Sequence, residues 1–201
     1  PAPSPSPGPS RSLPLKAPPF NPMMMQMGPR PPQDQFVASE WEKSFEIVTV
    51  ARDALHRLRD TTGQAVSLCT LLDDDLVVLD LMHGRSVVEF STRPGTRLAL
   101  HASAHGKIWL AFGPEGLIKK VLSAQRPAWT SHTLTDAKTI SSEVQAVRKR
   151  GWSTAPNQTV MGVNTLAAPV FDHRGALAGS IAIVGSTQVI APKPAPAQLG
   201  G

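Results

Sequence analysis

Proline decides which parts of this chain are able to fold. The 201 residues contain twenty prolines, and twelve of them precede residue 36. Each proline fixes φ and removes a backbone donor, so residues 1–35, where Pro alternates with Ala, Ser and Gly, resist both helix and sheet. Three more lie between Pro192 and Pro196, and only Pro94, Pro114, Pro127, Pro156 and Pro169 interrupt the long middle. The expected organisation is one compact domain between two disordered tails, 1–35 and 191–201. With 41% hydrophobic residues, the chain has enough apolar material for a core.

Charge and cysteine usage narrow the function classes. The formal net charge is +5, which fits weak attraction to nucleic acid but equally a solvated surface with a few extra cations. The basic residues cluster only at Arg148-Lys149-Arg150, where they also complement the C-terminus of a helix. Cys69 is the single cysteine, so no intrachain disulfide forms and a cytoplasmic setting is expected. No run of about 18 apolar residues predicts a membrane span.

Periodicity outlines the domain. Ile47, Ala51, Ala54 and Leu58 repeat at helical spacing, with Val48 and Leu55 widening the stripe, which predicts a helix from Ala38 to Thr62 ended by Gly63. Such a stripe serves either as a dimer seam or as a cover for its own sheet. Gln64–Leu72 and Leu76–Leu81 read as strands joined through Asp73-Asp74-Asp75, and Val87–Ser91 as a further short strand. Ala102–Phe112 and Glu115–Ser123 read as helices. Thr135 or Asp136 caps a third, with Ile140, Val144 and Val147 inward and Gly151 at its end. Thr165–Phe171 and Ala176–Gly185 read as strands around the turn Asp172-His173-Arg174-Gly175, the last strand central in its sheet. The order predicts an α+β domain with a mainly antiparallel sheet flanked by helices.

The chain offers no organised catalytic set. His101 and His105 stand four apart, as zinc ligands on one helical face would, but position 102 is Ala where a Glu would be needed, and no third ligand is evident. Gly106-Lys107 lacks the earlier glycine of a phosphate loop, since His101 stands there. Three adjacent aspartates at 73–75 read as a solvated turn. Asn157-Gln158-Thr159 fits a glycosylation acceptor, without meaning in a cytosolic chain. Gly-x-Ser-x-Gly is absent, and Cys69 sits in apolar company. Catalytic residues, metals and cofactors are therefore not expected.

Two motifs resemble those of one family. Leu100-His101-Ala102-Ser103-Ala104-His105-Gly106-Lys107 resembles the signature of the IclR effector domain. Arg150-Gly151-Trp152, followed by Gly162-Val163-Asn164-Thr165-Leu166-Ala167-Ala168-Pro169-Val170-Phe171-Asp172, resembles its second motif. The likeness runs from roughly Ser44 to Ile190. It implies a GAF-like domain over 64–190 behind a linker or dimerisation helix over 36–63. It also implies a small organic effector, a carboxylate or aromatic acid, which controls transcription through rearrangement of a homodimer or tetramer.

By the same resemblance, Ser103, Ala104, His105 and Gly106 would offer backbone N–H groups to the effector's anionic end, as helix N-termini do. Thr165 falls where several members carry Cys, Ala155 where they carry Asp, and Ala182 and Val184 where they carry strand serines. The pocket implied is thus more apolar than in those members. Asn157, Gln158 and Asn164 would add polar contacts from the preceding loop. Members normally carry an N-terminal winged helix-turn-helix, which 1–35 does not resemble, so DNA would be reached only through a reader not evident here. The alternatives are a ligand-blind pairing partner and an enzyme on the same fold, with His101 or His105 as acid or base.

Overall fold

The computed structural model describes residues 38–85 and 92–192, with side chains from residue 46 onward. The strand expected at Val87–Ser91 and both proline-rich tails lie outside the described residues. Helix α1 (Ala38–Thr62) runs into the hairpin β1 (Ala65–Leu72) and β2 (Asp75–Met82). A two-residue strand, β3 (Arg97–Leu98), precedes three helices: α2 (Ala104–Phe112), α3 (Leu117–Ser123) and α4 (Ala137–Arg150). The chain returns through β4 (Ser153–Thr154), β5 (Val163–Phe171) and β6 (Leu177–Ser186). The sheet order is β3-β2-β1-β6-β5-β4, with antiparallel pairing throughout. The domain is therefore α+β, and β6 is central as its apolar run demands.

Local chemistry sets the element ends. Asp73 and Asp74 both adopt positive φ, 48° and 70°, so the acidic turn is a two-residue hairpin loop of the kind that matches strand twist. Its carboxylates meet cations and not one another: Asp74 pairs with Lys120 at 2.7 Å and Asp75 with Arg97 at 3.1 Å. Asp136 caps α4 by accepting from the Thr139 amide at 2.7 Å, and Gly151 closes that helix at φ 80°. Pro169 is tolerated within β5 because β4 pairs only at Leu166 and Ala167, leaving that stretch as an edge.

The sheet is covered on both faces. One face carries Val66, Leu68, Leu166 and Ile183 against Leu55 and the α1 stripe of Ile47, Val48, Ala51 and Leu58. The stripe thus covers its own sheet. The other face carries Cys69, Val78, Ala167 and Ala182 against Ile108 and Trp109 of α2 and Ile140, Val144 and Val147 of α4. β1, sandwiched between the two layers, is buried at six consecutive positions. That double burial is why its sequence alternates only partway.

Helix α2 starts unusually close to the loop before it. A Cβ on Gly106 would collide with the backbone of Leu100, which has no freedom to move aside. Gly106→Ala is therefore expected to destabilise the domain by about 1–3 kcal/mol or more, the cost of forcing atoms into a filled interior. Urea unfolding reads this directly as a lowered midpoint at unchanged slope. A midpoint equal to wild type would show that the contact is not tight.

Candidate functional site

The start of α2 is buried, and its polar groups must find partners there. Ser103 is extended at φ −97°, ψ 151°, and its Oγ accepts from the Gly106 amide at 2.9 Å. The same hydroxyl donates to Ala99 O at 2.7 Å, so the capping group is fully engaged. The amides of Ala104 and His105 precede the intrahelical ladder. Both residues are buried, at 1% and 2% exposure, so these amides sit at the positive end of a helix away from bulk solvent.

The His105 side chain is pinned to the sheet beneath. Its Nε2 lies 2.8 Å from Ser67 Oγ on β1, and its Nδ1 lies 2.8 Å from Ser180 Oγ on β6. Burial pushes the imidazole pKa down to about 3, so the ring is neutral. A neutral imidazole donates once and accepts once, so one serine accepts and the other donates. His101 has separate surroundings: its ring stacks on Trp129 at 5.3 Å, and its Nε2 donates to Pro127 O at 3.1 Å. The two histidines share no ligand-binding face, and neither is oriented by a carboxylate.

Next along α2, Lys107 is a buried cation that the spacing of residues did not single out as a site group. Its Nζ donates to Thr154 O at 2.7 Å and lies 4.0 Å from Glu143. Desolvation pulls its pKa down to about 8; Glu143 opposes that shift, and Arg150 adds to it. The signal was present in sequence as a lysine within Ile108-Trp109-Leu110-Ala111, an otherwise apolar helix. Ser153 completes the seam by donating to Ala104 O at 2.6 Å.

The pleat sorts the remaining expected residues. Thr165 pairs with Val184, and Ala167 pairs with Ala182, on the sheet face that α2 covers. Ala155 belongs to that same cluster. Ser103, Ala104, His105, Ala155, Thr165, Ala182 and Val184 are therefore brought together at one end of the sheet. Thr165 Oγ1 has no partner among the described residues. Gly106 accompanies this group as a packing element, since its N–H is taken by Ser103.

Asn164 is not brought to that face. It shares the opposite side with Leu166, fully buried, where its Oδ1 accepts from the amides of Ala155 and Thr165. Its Nδ2 donates to Ile190 O and Ala191 O, which ties the C-terminal strap to β5. Asn157, at φ 59°, closes its own loop through Oδ1 and the Gly162 amide at 2.7 Å. Gln158 is 6% exposed, and its buried Oε1 has no partner among the described residues. Trp109 Nε1 is likewise buried and unpartnered among them.

A second concavity lies on the α1 side of the sheet. This cleft of about 310 Å³ is floored by Leu166, Ala168, Ile181 and Ile183 and walled by Leu58 and Trp152. Arg150 lies over the Trp152 ring at 4.5 Å and bonds Glu143 at 2.6 Å, so its charge is already engaged. Among the described residues no group of three or more His, Cys, Asp or Glu converges as a metal site would require. No helix among them is long and apolar enough to cross a membrane.

These features define an α+β domain whose polar centre is a buried, capped helix start over a patch of short side chains. Residues 41–199 match the family model for the C-terminal region of the bacterial transcriptional regulator IclR, and the chain belongs to that family. The HTH-type transcriptional regulator BhcR of Paracoccus denitrificans (strain Pd 1222) is 33% identical over 142 residues, 70% of this chain and 51% of that protein. The chain spans about half the length of the curated relatives it matches. The crystal structure of IclR from Thermotoga maritima superposes with a TM-score of 0.67 at 27% identity, over 75% of this chain and 64% of that one. An IclR homolog from Microbacterium hydrocarbonoxydans, crystallised with 4-hydroxybenzoate, shares the fold at a TM-score of 0.71 and 20% identity, over 78% of this chain and 63% of that one. The relatives are transcriptional regulators, so the domain is that of a regulator and not of an enzyme.

The neutral His105 makes a pH prediction. In the unfolded chain the imidazole binds a proton below its ordinary pKa of 6.5, whereas in the fold it does so only near 3. Its contribution to stability is therefore fully present above 6.5 and lost as pH falls from there toward 3. Relative to His105→Gln, which does not titrate, wild type should lose up to about 1.4 kcal/mol per pH unit across that window. Chemical denaturation at a series of pH values measures the difference; parallel stability curves would contradict a buried neutral ring.

Proposed function

We propose that this domain senses a small organic anion held between the start of α2 and the β5–β6 end of the sheet. The observation that carries this reading is the pair of buried amides at Ala104 and His105, set at a helix N-terminus above Ala155, Thr165, Ala182 and Val184. Such amides stabilise a carboxylate without a paired side-chain charge. The nearby Lys107 ammonium adds favourable potential, and the short side chains accept an apolar or aromatic body. The unpartnered Thr165 hydroxyl supplies one polar contact. The 4-hydroxybenzoate complex of the Microbacterium homolog supports an aromatic acid as one ligand of this class.

In this reading residues 64–190 form the effector domain and residues 36–63 the helix that links it to a DNA reader. Binding shifts the arrangement of protomers in a homodimer or tetramer, and so of attached winged helix-turn-helix units, in the cytoplasm.

A ligand that binds only the folded state raises its melting temperature. At about a hundredfold excess over Kd, a matching carboxylate should raise it by roughly 5–10 °C. Thr165→Val keeps the shape and removes the hydroxyl, and it should reduce that shift. Absence of any shift across small carboxylates and aromatic acids, with the protein folded, would favour a domain that only pairs with its relatives.

A further inference from the structure

Gln158 sits where its neighbours do not. Asn157 and Thr159 are partly exposed on either side, yet Gln158 is buried, with only 6% exposure. Its backbone leaves the side chain no choice of direction. The Gln158 amide turns back toward Ala155 O, and its carbonyl accepts from Thr133 Oγ1 at 2.6 Å. Thr130 Oγ1 clamps the adjacent Asn157 O at the same distance, 2.6 Å. A strap over residues 127–133 therefore closes the outside of this turn, and Trp129 at its start stacks on His101, two residues before the Ser103 cap. The side chain is forced inward, on the turn that joins Ala155 to Thr165.

A buried carboxamide oxygen without a donor is rare in folded proteins, because desolvating it brings no return. Trp109 Nε1 differs in place, lying a turn further along α2 within the apolar cluster. Gln158 instead borders the residues assigned to the effector. The two ends of a carboxamide are a donor and an acceptor, and a hydroxyl answers either, since it both donates and accepts.

We infer that the effector carries a hydroxyl group besides its anionic end, and that Gln158 is the residue that reads it. The ligand class is then a small hydroxylated carboxylate, not a plain one. This rests on the sensor reading above. The anion is held by backbone amides that accept any carboxylate, while Gln158 discriminates. A site built to bond a hydroxyl rejects the analogue lacking it, because the protein group is left unpaired.

Calorimetric titration of the whole chain with matched pairs tests this: benzoate against 4-hydroxybenzoate, and propionate against lactate. In at least one pair the hydroxylated acid should bind about tenfold or more tightly than its partner. Gln158→Met fills similar space without the amide, and it should erase that gap by weakening the hydroxylated acid alone. Equal binding of both members of each pair in wild type, with Thr165→Val still weakening them, would overturn the hydroxyl inference and leave the sensor standing. The hydroxyl inference fails equally if Gln158→Met lowers the melting temperature but keeps the gap, which is what a purely structural glutamine would do. Binding of no acid in any pair would remove the sensor reading itself, and this inference with it. Should Gln158→Met fail to fold, the wild-type comparison still decides.

Discussion

The structure depends on burying the polar start of a helix against the middle of a sheet. The beginning of α2 cannot be solvated, so every polar group there needs a partner or a purpose. Ser103 satisfies the Gly106 amide and Ala99 O, Ser153 satisfies Ala104 O, and the His105 ring bridges Ser67 and Ser180. Lys107 reaches the β4 carbonyl of Thr154. Together these contacts fasten α2 to β1, β4 and β6, and the absence of a side chain at Gly106 lets the helix settle onto Leu100. What remains unsatisfied in this set is the pair of amides at Ala104 and His105. The functional reading follows from them.

Electrostatics at this helix start are positive but not crowded. The helix dipole and the Lys107 ammonium point the same way, while Glu143 moderates the lysine and is shared with Arg150. His105 contributes no charge at neutral pH, because its protonated form would be desolvated without a counterion. A single negative charge is thus the natural complement. A dianion would find only one buried cation, already bonded to a carbonyl.

Sequence reasoning reached the elements whose determinants are local. The Asp136 cap and the Gly151 stop of α4 are short-range signals, and they appear as read. The turn at 172–175 is as local: Asp172 Oδ1 accepts from the amides of Arg174 and Ala176. The early helix stripe was legible as a stripe, but whether it covered a sheet or a partner depended on distant strands. The same holds at the site. Ser103 was legible as part of a motif; its neighbour His105 was read for its backbone, because Ser67 and Ser180 lie on strands far away in sequence. Asn164 illustrates the converse. It sits inside the motif beside Thr165, but alternation of the pleat sends it to the other face, where it bonds four backbone groups. Lys107 was visible as an apolar-helix lysine, yet only the fold shows that it reaches Thr154.

The central claim is that an anion binds at the Ala104 and His105 amides and not in the apolar cleft across the sheet. The direct measurement is a ¹H–¹⁵N correlation titration of the assigned domain with 4-hydroxybenzoate. The account predicts that the Ala104 and His105 amides move most, together with those of Ala155 and Thr165. Saturable shifts confined to Trp152, Leu166, Ile181 and Ile183 would place the ligand on the α1 side and contradict it.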